Sequence, residues 1–233
     1  MYLHESVAGE WSAERFASTV DLTTTLFGEY SGLVYIMPCG VVVRALAPHV
    51  RHKLQDPAVV VVDVGGRWAV SLLSGHEGGA NDLAMAVGNI LFAEPVISTT
   101  TEAVKNLIVG IGCRRGTSAE RIVEAVKQTL SQAKLPLSQV RLLSSADIKS
   151  DEEGLLEAAR EMGIPVRFIS SQEIRTCPRG FQHSDFVEEK VDLPAVAEPS
   201  ALLAGRRTQL RVPKTKHNGV TVAVAEESCM WSA

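Results

Sequence analysis

The sequence predicts an α/β fold of two units, each built on a mainly parallel sheet, with a cleft between them. Three observations lead there. Apolar runs of strand length alternate with segments of helical periodicity. A strand, a glycine-rich turn and a helix follow one another twice, around residues 72–81 and 107–117. Residues 58–64 form a nearly unbroken β-branched run, as expected of a strand covered on both faces. The chain has 233 residues, enough for one large or two small domains, and the natural boundary falls near residues 101–106. The expected domains are therefore 1–103 and 104–233.

In chain order, residues 13–27 read as a helix with no strong strand before it. Residues 33–37 are a short apolar strand ending at Pro38-Cys39-Gly40, and 41–50 a helix carrying Arg44 and His49. The run at 58–64 is joined to a strand at 68–73 by Gly65-Gly66, a hairpin signal. Residues 81–92 place Leu83, Ala84, Val87, Ile90 and Leu91 on one helical face. Residues 95–98 are a short strand. The second unit opens with a strand from Leu107 and a glycine turn. Thr117 and Glu120 fit a capping box for a helix over 118–132. Strands at 140–143 and 166–169, helices at 151–162, 171–176 and 194–204, and a final strand at 220–225 after Asn218-Gly219 complete the pattern.

Composition narrows the function. Apolar residues make up 45% of the chain, and charged residues make up 21%. The formal net charge of −4 gives no electrostatic basis for binding nucleic acid or an anionic membrane. The start of the chain lacks the basic flank and apolar core of a signal peptide, and no apolar run reaches the ~20 residues that span a bilayer. Four scattered cysteines form no CxxC pair, so neither a zinc site nor a disulfide framework is expected. The expected setting is a reduced cytoplasm.

Most of the chemistry lies in Ser74-Gly75-His76-Glu77-Gly78-Gly79-Ala80-Asn81. Glycines allow close backbone approach, and a helix start offers N–H groups to an anion. The loop is expected to line the principal cleft. His76 suits a general acid or base, the work imidazole side chains do near neutral pH; a glycine turn whose histidine caps the helix explains it equally well. Ser74 lies too close to His76 for a triad and is not in a GxSxG elbow.

Gly110-Ile111-Gly112-Cys113-Arg114-Arg115-Gly116 misses the dinucleotide spacing, because its third glycine comes one residue late. Its arginines suit a carboxylate or phosphate, although a solvated basic turn is the simpler reading. Arg44, His49, Arg51, His52 and Lys53 are a solvated helix end unless this crossover adjoins the His76 loop, where they become a clamp for a polycarboxylate. Cys113 reads as a packed cysteine, Lys149-Ser150-Asp151-Glu152 as a helix start, and His183 and His217 as surface residues.

These segments together resemble the CbiG family of cobalamin biosynthesis. In the first unit the likeness rests on Gly40-Val41-Val42-Val43-Arg44-Ala45-Leu46-Ala47-Pro48, Lys53 with Asp56-Pro57, Ser71-Leu72-Leu73-Ser74-Gly75-His76, Gly78-Gly79-Ala80-Asn81 and Pro95-Val96-Ile97. In the second it rests on Gly110-Ile111-Gly112-Cys113-Arg114-Arg115, Lys149 with Asp151-Glu152 and Gly154-Leu155, Ala197-Glu198-Pro199-Ser200, and Pro213-Lys214. The resemblance implies a cobalt-precorrin-5A hydrolase that opens a corrinoid δ-lactone and releases acetaldehyde. The cobalt then arrives in the substrate, and the protein carries no cofactor or metal of its own. The implied partner is the small-molecule corrinoid. A second copy of the chain and other cobalamin-pathway enzymes are the candidate protein partners.

For such a substrate, large, flat and bearing several carboxylates, His76 is the candidate general base, and Arg44, Lys53 and Arg114 are the candidates for pairing with the carboxylates. Ser74, Gly75, Gly78, Gly79 and Asn81 become the substrate loop, with N–H groups around Gly78 and Gly79 facing the oxyanion. Glu198 is a second proton-transfer candidate, with a helix cap or surface residue as the simpler reading. The family opens with a strand and helix that have no counterpart expected here. It also inserts a middle region where only residues 98–106 join the two units. The alternatives are a non-catalytic corrinoid-binding protein and, further off, a phosphate- or nucleotide-binding module.

Overall fold

A computed structural model describes residues 1–178, 180–181 and 193–228. The chain divides into two compact units, Met1–Thr99 and Thr100–Ala233.

The first unit is organised by β4 (Ala58–Val62), every residue of which is buried. It lies between β3 (Gly32–Ile36), to which it is parallel, and β5 (Trp68–Leu73), to which it is antiparallel; β6 (Glu94–Val96) is parallel to β5. The antiparallel pair follows from the turn at Gly65-Gly66, where Gly66 has φ +65°. The Asp63 carboxylate accepts the N–H groups of Arg67 (2.7 Å) and Trp68 (2.9 Å) and fixes the turn.

On one face, Leu33, Val59 and Val61 pack with Val42 and Leu46 of α2 (Cys39–Leu46). On the other, Val60, Val62 and Ala69 pack with Ala84 of α3 (Ala80–Leu91). A fully buried valine contributes roughly 1.5–3 kcal/mol, so four in succession make β4 the main anchor of this unit.

Ahead of this sheet the expected single helix over 13–27 is shorter. It is α1 (Thr19–Leu26), capped by the Ser18 side chain on the Asp21 N–H. Before it, β1 (Tyr2–His4) and β2 (Glu14–Phe16) form a parallel two-stranded ribbon outside the main sheet. The sequence reading missed both strands because each has only three residues.

After α4 (Thr100–Ala103), the second unit has the strand order β10-β11-β7-β8-β9. Strands β7 (Leu107–Cys113), β8 (Val140–Ala146) and β9 (Val166–Ile169) are parallel. The hairpin of β10 (Thr208–His217) and β11 (Val220–Glu227) adds two antiparallel pairings, so the sheet is mixed. Helices α5 (Ala119–Gln132) and α6 (Glu153–Met162) cover one face with Ile122, Val126, Leu130, Leu155 and Ala158. The short α7 (Ser171–Arg175) carries a full capping box between Ser170 and Glu173. On the sheet's other face lies α8 (Ala197–Leu203), packed on β7 and β11.

Strand β10 had no counterpart in the sequence reading. It is an edge strand of alternating exposure with Pro213 inside it, and its register shifts between Leu210 and Thr215. Proline is confined to edges and bulges in sheets, so the residue that accommodates the irregularity also hides the strand. The expected capping box at Thr117 is also absent. The cap is Ser118, and the Thr117 hydroxyl instead donates to the Arg114 carbonyl (2.7 Å). Nor is His217 a bare surface residue: its ring bonds Thr129 (2.9 Å), Thr215 (3.1 Å) and Gln128 (3.1 Å), tying β10 to α5. His183 lies outside the described residues. No helix among the described residues is long and apolar enough to cross a membrane.

Gly110 is where α8 meets the sheet. A Cβ at this position would stand 1.8 Å from the Ala197 carbonyl oxygen. Gly110→Ala is therefore expected to lower stability by about 1–3 kcal/mol or more, because backbone cannot move aside as a side chain can. Gly28→Ala, with nothing within 4 Å of the added methyl, serves as the control and should stay within about 0.5 kcal/mol. Denaturant unfolding of the two variants decides the point.

Candidate functional site

The 74–81 loop connects β5 to α3 and turns back on itself. Ser74 adopts a left-handed backbone, φ +58°, although it is not glycine. Its buried hydroxyl donates to the Asp56 carbonyl at 3.0 Å, and both Asp56 carboxylate oxygens accept the Arg51 N–H, at 3.1 and 2.9 Å. The crossover between α2 and β4 is thereby fastened to the loop. Gly78 folds against the start of the turn so closely that a Cβ there would lie 2.3 Å from Ser74 Cβ. A Cβ at Gly75 would lie 2.8 Å from the Thr99 methyl. Gly79, at φ +85°, caps α3.

Asn81 bolts this arrangement together. Its Oδ1 accepts the Ser71 hydroxyl at 2.8 Å, and its Nδ2 donates to Thr99 at 3.0 Å. The N–H groups of Ala80 and Asn81 go to the carbonyls of Ser74 (3.1 Å) and Gly75 (2.9 Å). Part of the donor set expected for an anion at this helix start is thus used inside the loop.

At the tip, His76 and Glu77 are exposed. The Lys53 ammonium pairs with the Glu77 carboxylate, so the basic crossover does adjoin the His76 loop. That hydrogen bond holds the Glu77 carboxyl below its usual range. Arg44 is directed differently: its guanidinium donates to the Gly40 carbonyl of its own helix at 3.0 Å.

Two sequence-selected residues belong to the second unit. Arg114 is exposed at the end of β7, where its N–H meets the Gly219 carbonyl at 3.4 Å. Glu198 is only 1% exposed, and its Oε1 accepts the Lys214 N–H of β10 at 2.8 Å. It is neither the surface residue nor the helix cap of the simpler sequence reading. Asp56 and Thr99 complete the loop's support. The Asp56 role had no signal in the sequence beyond its place in the family pattern, and Thr99 had none.

An open depression of about 550 Å³ lies on the outer surface of α5, lined by Glu120, Glu124, Lys127 and Glu161 among others. No residue of the 74–81 loop lines it. Among the described residues, no group of three His, Cys, Asp or Glu side chains is placed to hold a metal ion. Burial raises the Cys113 thiol to about 11, as a packed cysteine requires.

Both glycine turns thus sit where a strand hands over to a helix in an α/β unit, and both are built by close backbone contact. The chain belongs to the cobalamin synthesis G family: residues 21–102 match the model described as "Cobalamin synthesis G N-terminal" and residues 107–225 that described as "Cobalamin synthesis G C-terminus". Among its relatives is the cobalt-precorrin-5A hydrolase of Priestia megaterium, 27% identical over 93% of this chain and 84% of that protein. The cobalt-precorrin-5A hydrolase of Salmonella typhimurium is 25% identical over 85% of this chain and 82% of that one. The crystal structure of CobE, a protein from the cobalamin (vitamin B12) biosynthetic pathway, matches 53% of this chain and 91% of its own with 31% identity and a TM-score of 0.50.

The Priestia alignment runs over 315 positions, against 93% of a chain of 233 residues. That relative therefore carries sequence with no counterpart here.

Thiol chemistry gives a direct test of the local environments. Exposed Cys39 should be alkylated by iodoacetamide well before Cys113, whose rate should keep rising as pH approaches 11. Peptide mapping after timed alkylation measures both. Equal rates at neutral pH would show that the Cys113 site is far more open than its burial implies.

Proposed function

We propose that this chain is a cobalt-precorrin-5A hydrolase of anaerobic cobalamin biosynthesis. The observation that carries the reading is that both family parts occur in one chain, which aligns over most of its length with two proteins named for that reaction. The glycine loop adds chemical support. It presents an exposed imidazole on a backbone fixed at Ser74, Gly78 and Asn81, with a lysine beside it.

In this reading His76 takes a proton from water as the water oxygen adds to the lactone carbonyl. N–H groups around Gly78 and Gly79 face the oxyanion. Collapse breaks the lactone C–O bond and leaves a carboxylate and a free hydroxyl. Loss of the hydroxyl proton forms the aldehyde carbonyl while the neighbouring carbon–carbon bond breaks. The electron pair passes into the macrocycle, and acetaldehyde departs. Cobalt belongs to the substrate, and the protein has no cofactor of its own. Lys53, Arg44 and Arg114 contact corrinoid carboxylates. Glu198, buried and bonded to the Lys214 N–H, is assigned to holding α8 on β10 rather than to proton transfer. The site of action is the cytoplasm.

A second reading, a corrinoid-binding protein without catalysis, is favoured by the aligned sequence of the hydrolases that this chain lacks. An aldehyde assay with cobalt-precorrin-5A generated in situ separates the two. Acetaldehyde should accumulate with enzyme concentration. His76→Ala should reduce turnover by about 10²–10⁴-fold while leaving corrinoid affinity within a few-fold. Binding without acetaldehyde from the wild-type chain would establish the second reading instead.

A further inference from the structure

Two segments set apart in the sequence, 113–117 and 149–154, come together at the carboxyl ends of the parallel strands β7 and β8. This is the edge at which open α/β sheets take their ligands. The Glu152 carboxylate accepts the Gly116 N–H at 2.7 Å through Oε1 and pairs with the Lys149 ammonium at 3.2 Å through Oε2. Both side chains are buried, Lys149 at 10% exposure and Glu152 at 4%. Their charges reach the thiol of Cys113.

Joining the two segments does not require the lysine. Arg115 and Asp151 already bridge them at 3.0 Å, and Gly154 sits so tightly against Thr117 that a Cβ would lie 1.9 Å from its carbonyl oxygen. A buried ammonium is expensive to desolvate, and an apolar side chain usually packs as well. An ammonium has three N–H donors, and Glu152 is the hydrogen-bond partner of only one. Of the other acids on this edge, Asp151 pairs with Arg115 at 3.0 Å, its carboxyl lowered by that hydrogen bond and in smaller part by the charge of Lys149, and Asp147 accepts the N–H groups of Ser171 (3.0 Å) and Ile148 (2.8 Å).

We propose that Lys149 is a ligand-contacting cation that takes one carboxylate of the corrinoid, and that Glu152 is its positioning residue. The proposal rests on the reading that the ligand is a polycarboxylate corrinoid. Arg114, on the same strand end, then lies toward the rim of the ligand site rather than at its base.

Binding of cobyrinic acid, whose peripheral groups are carboxylates, is compared with binding of cobinamide, whose corresponding groups are amides. Lys149→Met should lose about tenfold or more in affinity for cobyrinic acid and leave cobinamide within twofold. Lys149→Arg should recover most of the loss, and Glu152→Gln should weaken the acid selectively. In a chain carrying Cys39→Ser, Cys177→Ser and Cys229→Ser, bound cobyrinic acid should slow alkylation of Cys113.

Wild-type affinity in a folded Lys149→Met variant overturns the proposal and leaves the corrinoid reading standing. If that variant does not fold, the Lys149→Met/Glu152→Gln pair removes both charges together. If neither folds, Cys113 protection in the otherwise wild-type chain decides, and unprotected alkylation overturns the proposal. A wild-type chain that binds no cobyrinic acid overturns both the proposal and the reading beneath it.

Discussion

Backbone-to-backbone approach at glycine is the constraint on which the two turns depend. At Gly78 the loop closes on Ser74, and at Gly110 the helix α8 lies directly on β7. Gly154 does the same against Thr117. None of these positions has room for a methyl group, so the local geometry is set by excluded volume before any side chain acts. Hydrogen bonds then select one arrangement from those that sterics allow. Asn81 does so in the first unit and Glu152 in the second, each satisfying groups from two separate segments.

The glycines of the second turn illustrate how one pattern serves a different purpose. A run such as Gly110-Ile111-Gly112 suggests room for a ligand phosphate. In the structure Gly110 makes room for the Ala197 carbonyl, while Gly116 supplies both a positive φ and an N–H for Glu152. The sequence signal of close approach was sound. Its partner is protein backbone.

Much of the architecture was legible because its strands are strongly apolar and its helices strongly periodic. β4, β7 and α5 are of this kind, and so is the Gly65-Gly66 hairpin. The elements that escaped are those that share their stabilisation with distant residues. β1 and β2 are too short to show a period, and β10, at the sheet's margin among the described residues, carries polar residues and Pro213. At the candidate site, the glycine loop and the nearness of Lys53 were accessible from spacing and family pattern. The roles of Asp56, Thr99 and Glu198 were not, since each is defined by a partner 16 to 18 residues away whose position only the fold supplies.

The irregular strand β10 has a bearing on solubility. Among the described residues it forms one margin of the second sheet, and edge strands in general invite a foreign strand to add on. Pro213 withholds a donor, the register shifts bend the ladder, and exposed Arg211 and Lys216 place charge along it. A strand interrupted in this way gives little purchase for amyloid-like growth, so β10 can stand at a sheet margin without becoming a seed for association.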